Sequence, residues 1–218
     1  MVDNITPCIE GHHNQALIMP PSKEEIKATL FSLNMDSAPC PDGFTNKFLM
    51  FYWDILQDDV TQAIKEFFIH SSMPYGINAS FIALITKKEK TIDIKDFRPV
   101  ALGNTIPKLI SKILLNRMGG LVKDYITMNQ FGFVPGKIIQ HFLFTASEGV
   151  NLMKSKTKDV NFALKIDISK ASDTLKCSFL IDVLRRYGSS NMFIKLIHTI
   201  ISSSRISILI NGAPRGYF

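Results

Sequence analysis

Phe162-Ala-Leu-Lys-Ile-Asp-Ile-Ser-Lys-Ala-Ser-Asp173 joins an apolar, β-prone run to acidic residues, and a helical pattern begins just after it at Leu175. The run predicts a strand with Asp167 at its exit. A carboxylate in that position is held by a rigid element while facing a cleft, which is what a catalytic cation site requires. The competing reading is a solvated Asp that caps the following helix. The segments on either side decide between the two.

The chain has 218 residues, 46% hydrophobic and 20% charged, enough to bury a real core in one large domain or two small ones. This composition excludes a disordered tail. Lys and Arg exceed Asp and Glu by 25 to 19, a net charge of +6 that is compatible with a polyanionic partner but shared by many ordinary proteins. Cys8, Cys40 and Cys177 are odd in number, widely spaced and form no CxxC, which implies free thiols in a reducing compartment. The start Met1-Val-Asp-Asn4 lacks the basic opening of a signal peptide, and no stretch approaches the ~18 consecutive apolar residues of a membrane span. A soluble, intracellular protein with no membrane partner is expected, and nucleus or cytoplasm is left open.

Residues 1 to 21 show no periodicity and are expected to be irregular; Cys8, His12 and His13 lack a nearby fourth ligand for zinc. Ser22-Lys-Glu-Glu25 is a capping box, and Ile26, Leu30 and Leu33 continue it as a helix to about Asn34. Ser37-Ala-Pro-Cys-Pro-Asp-Gly43 enforces a turn. Phe44, Phe48, Phe51 and Tyr52 then lead to Trp53 and a second helix through Phe68, an aromatic group expected in the core rather than on a ligand platform. Phe81-Ile-Ala-Leu-Ile85 and Phe97-Arg-Pro-Val-Ala-Leu102 read as strands flanking Lys87, Lys88 and Lys90. Such a unit can set several cations around a triphosphate, since the strands fix the origins of long side chains that the loop leaves free. A solvated basic hairpin is the competing reading.

Ile106 to Met118 reads as an amphipathic helix carrying Ile110, Ile113, Leu114 and Arg117. Gln130-Phe-Gly-Phe-Val-Pro-Gly136 supplies a bend whose glycines permit close approach by a backbone or a ligand, and a helix follows from Lys137 to Leu152. Further helices are expected at about Leu175 to Tyr187 and Asn191 to Ser203. Ile206-Ser-Ile-Leu-Ile-Asn-Gly212 reads as a strand entering a type I′ hairpin.

Taken in order, Ala38-Pro-Cys-Pro-Asp-Gly-Phe44 with Trp53, Phe97-Arg-Pro-Val-Ala-Leu102, Gln130-Phe-Gly-Phe-Val-Pro-Gly-Lys137, Lys165-Ile-Asp-Ile-Ser-Lys-Ala171 and Leu209-Ile-Asn-Gly-Ala-Pro-Arg-Gly-Tyr-Phe218 resemble the reverse transcriptase domain of plant LINE-type, non-LTR retrotransposons. The resemblance runs from about residue 22 to residue 218. It implies an α+β, helix-rich right-hand polymerase with a small mixed or antiparallel sheet. An irregular segment would occupy residues 1–21, the fingers 22–158 and the start of the palm 159–218. The activity implied is RNA-directed DNA synthesis on an RNA template and DNA primer from deoxynucleoside triphosphates, by a two-metal mechanism with Mg2+ or Mn2+.

By the same resemblance, Asp167 matches the first catalytic aspartate, which binds the cations, and the carbonyl of Ile168 matches a backbone ligand to them. Arg98 matches the fingers arginine that holds the incoming triphosphate, with Lys87 or Lys88 as a companion. Gln130, Gly132, Pro135, Gly136 and Lys137 fall in a template-contacting motif, and Pro214 and Gly216 open a palm motif that contacts template and nucleotide. Departures are equally specific. Ser172 stands where the family carries an aromatic screen against the 2′-hydroxyl, Cys40 where glycine is usual, Lys137 where arginine is common, and His141-Phe142 where an acidic-Asn pair is usual.

The family's aromatic-Ala-Asp-Asp block is not found within residues 1–218. One carboxylate cannot neutralise two cations about 3.5 to 4 Å apart. The chain alone is therefore expected not to polymerise DNA and to fold poorly in its palm part. The alternative reading is a non-catalytic nucleic-acid-binding remnant, or the product of a pseudogene.

Overall fold

A computed structural model describes residues 6–90, 93–122, 126, 130–132, 134, 136–154, 161–166 and 174–218. The helices are α1 (Gly11–Ile18), α2 (Lys23–Phe31), α3 (Asn46–Phe51), α4 (Trp53–His70), α5 (Thr105–Val122), α6 (Ile139–Leu152), α7 (Cys177–Arg186) and α8 (Asn191–Ser202). Strands β1 (Ala79–Thr86), β2 (Phe97–Gly103), β3 (Arg205–Ile210) and β4 (Ala213–Arg215) form one sheet in the order β2-β1-β3-β4. The pair β1–β3 is parallel and the other two pairs are antiparallel, so the fold is α+β, rich in helix, with a small mixed sheet.

Sequence chemistry explains the main helices. Ser22 caps α2 by accepting a hydrogen bond from the Glu25 backbone N–H at 3.1 Å. On α4, Trp53, Val60, Ile64, Phe67 and Phe68 recur at helical spacing and are buried. They meet Leu109, Ile110, Ile113 and Leu114 of α5, Ile26 and Leu30 of α2, and Phe193 and Leu196 of α8. Full burial of a side chain the size of Phe68 contributes about 2–3 kcal/mol, so this helical cluster rather than the half-exposed sheet holds the fold. Arg117 crosses the cluster's edge. It makes a two-pronged contact with Glu25 at 2.8 and 2.7 Å, donates to the Leu17 and Met19 carbonyls, and lies 5.2 Å over the Phe68 ring.

The sheet is joined to the helices at its start. Asn78 donates to the Ile200 carbonyl and the Ser203 hydroxyl, while its own carbonyl accepts from the Arg205 N–H at 3.0 Å. These bonds bring β3 alongside β1 although more than a hundred residues separate them. The expected Asn-Gly turn is present, with Asn211 at φ 51° and Gly212 at φ 77° between Ile210 and its partner Ala213.

Three expectations are corrected. The strand ending at Asp167 is not formed: residues 161–166 have no regular structure, and Phe162, Leu164 and Ile166 are 83%, 76% and 77% exposed. A strand exists only through ladder partners, and none pairs with this run among the described residues. Asp167 itself lies outside the described residues, as do Ile168, Ser172 and Pro135.

The aromatic group is not core as a whole. Only Trp53 is buried; Phe44, Phe48, Phe51 and Tyr52 are exposed and stack along one ridge with ring centroids 4.9 to 5.0 Å apart. Helical spacing put them on one face, but Leu49 and Met50 on the other face of α3 are the residues that pack inward. The segment 1–21 is not irregular throughout, because α1 forms over Gly11–Ile18. Its anchor is tertiary: the Cys8 and Ile9 N–H groups donate to the Tyr187 carbonyl, and Asn14 bonds Gly188 and Ser190. At Cys40, which stands where glycine is usual, the backbone is not left-handed; the positive φ in that turn belongs to Gly43.

Candidate nucleotide and nucleic-acid interface

The antiparallel register of β1 and β2 places Ile85 opposite Arg98 and Thr86 opposite Phe97, so the loop of residues 87–96 emerges beside Arg98. A short 3-10 turn at Ile94–Asp96 closes it, and the Lys87 N–H donates to the Asp96 carbonyl at 2.8 Å. Pro99 removes one ladder donor, which is tolerated because β2 is an edge strand. Beside this hairpin lies a cavity of about 420 Å³ bounded by Leu84, Lys87, Ile94, Lys95, Phe97, Arg98 and Pro99.

The cations are not equivalent. Lys88 pairs with Asp96 at 2.8 Å, and that carboxylate is only 13% exposed. Lys95 pairs with Asp93 at 2.8 Å. The Lys87 ammonium instead donates to the Lys95 carbonyl at 2.7 Å, and neither Lys87 nor the exposed Arg98 has a carboxylate partner among the described residues. Among these residues the cavity therefore borders two positive groups without a paired carboxylate. Of the two lysines the sequence offered, Lys87 borders the cavity and Lys88 is held against its own hairpin. Lys95 was missed by sequence reasoning; its place five residues beyond the Lys87–Lys90 run was the available signal, but only the 3-10 turn brings it to the cavity wall.

The remaining expected residues are spread out. The Gln130 amide donates to the Gly132 carbonyl at 3.3 Å, and Val134 is buried beneath a turn in which Lys137 N–H bonds the Val134 carbonyl. Gly136 has φ 80° in that turn, a conformation that a side chain would strain. Lys137 lies 5.8 Å over the Phe131 ring, whose other neighbour is Phe142. Pro214 pairs opposite Leu209 on β4. Gly216 has φ 71°, and a Cβ there would run into the Phe218 ring. Arg98 and Pro214 sit on opposite edge strands of the sheet, strands about 14 Å apart across three spacings.

Among the described residues, no group of three or more His, Cys, Asp or Glu side chains converges to hold a metal. The described residues carry exposed cationic groups, whereas the cation site at Asp167 rests on the resemblance. No helix among them is long and apolar enough to cross a membrane.

Comparison with known proteins places the chain in a family. The family model for reverse transcriptase (RNA-dependent DNA polymerase) matches residues 85–217, which include the Arg98 hairpin, the Gln130–Lys137 bend and the β3–β4 hairpin. The chain is 26% identical over 205 residues, 94% of its length, to the Transposon TX1 uncharacterized 149 kDa protein of Xenopus laevis, covering 16% of that protein. It is 25% identical over 167 residues, 77% of its length, to the Retrovirus-related Pol polyprotein from type-1 retrotransposable element R2 of Nasonia vitripennis, covering 15% of it. The chain thus spans about one-sixth of the length of these relatives. Because the matched region is more than half of its residues, the chain belongs to the reverse transcriptase family.

Proposed function

We propose that this chain is the fingers, residues 22–158, and the start of the palm, residues 159–218, of an RNA-directed DNA polymerase encoded by a non-LTR retrotransposon. Catalysis belongs to a longer parent protein, as the much greater length of the relatives suggests. The observation that carries this reading is the cavity beside Arg98 and Lys87, which lies in the family-matched region and borders two cations that have no carboxylate partner among the described residues. Two fixed cations on one strand-loop-strand unit suit the β- and γ-phosphates of a deoxynucleoside triphosphate. Lys95 lines the same wall and joins them when the triphosphate displaces Asp93.

Asp167 and the Ile168 carbonyl are assigned to Mg2+ or Mn2+, which supply the two-metal chemistry when the parent protein is assembled. Gln130, Gly132, Pro135, Gly136, Lys137, Pro214 and Gly216 are assigned to the RNA template and the template-primer duplex. Ser172, lacking a ring, leaves the 2′-hydroxyl of a ribonucleotide unscreened, so weak sugar discrimination is expected.

The test is primer extension on an RNA template with the parent protein and its Asp167→Ala and Arg98→Ala variants, beside triphosphate binding to the 218-residue chain. Loss of extension in both variants and weakened triphosphate binding only in Arg98→Ala supports the reading. Strand binding that survives Asp167→Ala in a parent protein that incorporates no nucleotide favours a binding module without chemistry. Triphosphate binding indifferent to Arg98 refutes the assignment of this cavity.

A further inference from the structure

On β1 and β2, Ser80 pairs with Gly103, Ile82 with Ala101 and Leu84 with Pro99, so these six residues share one face of the sheet. The cavity bounded by Leu84, Lys87 and Pro99 lies at the Leu84–Pro99 end of that face, whereas Arg98, paired with Ile85, belongs to the opposite face of β2. A separate groove of about 450 Å³ lies at the Ser80–Gly103 end, walled by Lys108, Ser111 and Lys112 of α5. Among the described residues its lining contains no acidic side chain.

The two lysines are arranged at a cost to the isolated fold. They stand one turn apart, where like charges repel, and Lys108 lies in the first turn of α5, where the helix dipole disfavours a cation. Neither has a carboxylate partner among the described residues. Lys108 is half-buried with its ammonium 3.5 Å from the buried Cys40 thiol, and Lys112 is half-buried with no compensating charge among the described residues. The floor is kept open by Gly103, since a Cβ there would come within 2.7 Å of the Ser80 hydroxyl. Between the groove and the Arg98 cavity, Ala101, Pro99 and Leu84 are exposed, so nothing covers the face that connects them among the described residues.

We infer that Lys108 and Lys112 form a second anion site, which holds phosphodiester groups of a single nucleic-acid strand laid along the β1–β2 face. From Gly103 to Pro99 the face runs about 13 Å, a distance a few nucleotides of extended strand can bridge. The choice of a nucleic-acid strand as occupant rests on the polymerase reading; the anion site rests on the groove's own charge and shape. Ser111 faces the same groove between the two lysines and is exposed, so a carboxylate placed there by substitution meets the phosphates directly.

The test is fluorescence-anisotropy titration of a labelled single-stranded oligonucleotide with the full chain across a salt series. It compares the parent with Lys108→Gln/Lys112→Gln and, as a variant that leaves both lysines in place, Ser111→Glu. Losing two phosphate contacts lowers the slope of log K against log salt by about 1.4 and weakens binding about tenfold at low salt. Ser111→Glu weakens binding in the same direction, while triphosphate binding beside Arg98 is unchanged in both. Inorganic pyrophosphate competing as well as unlabelled strand would overturn the strand assignment. Strand binding with unchanged affinity and slope in the double variant overturns the inference and leaves the polymerase reading standing. A parent chain that binds no strand defeats both.

Discussion

Arg117→Ala tests whether a single guanidinium ties the amino-terminal helices to the core. The guanidinium is 12% exposed, meets both oxygens of Glu25, and donates to the Met19 carbonyl at 2.6 Å and the Leu17 carbonyl at 3.3 Å. Removing it strands a carboxylate and two carbonyls at the end of α1. A fully buried pair broken on one side costs about 3–5 kcal/mol. Glu25 is 34% exposed, however, and water can reach it, so the loss from that pair is discounted to about 2 kcal/mol. The deserted carbonyls add about 1 kcal/mol.

The expected total of about 3 kcal/mol lowers Tm by about 6–12 °C for a chain of this size. Arg117→Lys keeps the charge but not the planar fork and should recover about half of the loss. Urea denaturation of Arg117→Ala, Glu25→Ala and the double variant measures the coupling directly, with about 1.5–2 kcal/mol expected between the two sites. A cost below about 1 kcal/mol for Arg117→Ala, or strictly additive effects, refutes the reasoning.

Other perturbations have equally definite outcomes. Burial pushes the Cys8 thiol up from the ordinary cysteine range, so its thiolate appears only at higher pH; iodoacetamide labelling followed by peptide mass spectrometry should give a midpoint above that of cysteine in a short peptide, and an equal or lower midpoint contradicts this. Gly188→Ala places a Cβ 2.9 Å from the Ile9 carbonyl at φ 92°, and should cost more than about 1 kcal/mol and expose residues 6–10 to limited proteolysis. Gly212→Ala, at φ 77° in the hairpin with no close neighbour, should cost about 1 kcal/mol in thermal denaturation and leave proteolysis of residues 6–10 unchanged. Leu143→Glu and Phe144→Glu lie on α6, which buries no residue, so they should shift stability by no more than about 0.5 kcal/mol while reducing aggregation measured by light scattering.

The sequence by itself determined the local elements whose cause is local. Ser22 with Glu25 marked the start of α2, although the Glu25 carboxylate turns to Arg117 instead of completing the reciprocal cap. The apolar stripe from Trp53 to Phe68 marked α4, the Asn211-Gly212 pair marked the hairpin, and Arg98 with the neighbouring lysines marked a cationic strand-loop-strand unit. Each rests on spacing, capping or left-handed backbone preference, which act within a few residues.

Tertiary structure decided what depends on partners far along the chain. The run Phe162–Ile166 has strand composition, yet composition supplies no ladder. The residues Gly11–Ile18 lack a strong apolar stripe, yet Asn14 and the Cys8–Ile9 backbone dock them against the turn after α7. Periodicity grouped Phe44, Phe48 and Tyr52 with Trp53 but could not say which side of α3 faces the core. Charge counting treated Lys87 and Lys88 alike, whereas the fold neutralises one with Asp96 and leaves the other beside Arg98. Burial and charge compensation are sums over neighbours brought together by the whole chain, so they become legible only once those neighbours are in place.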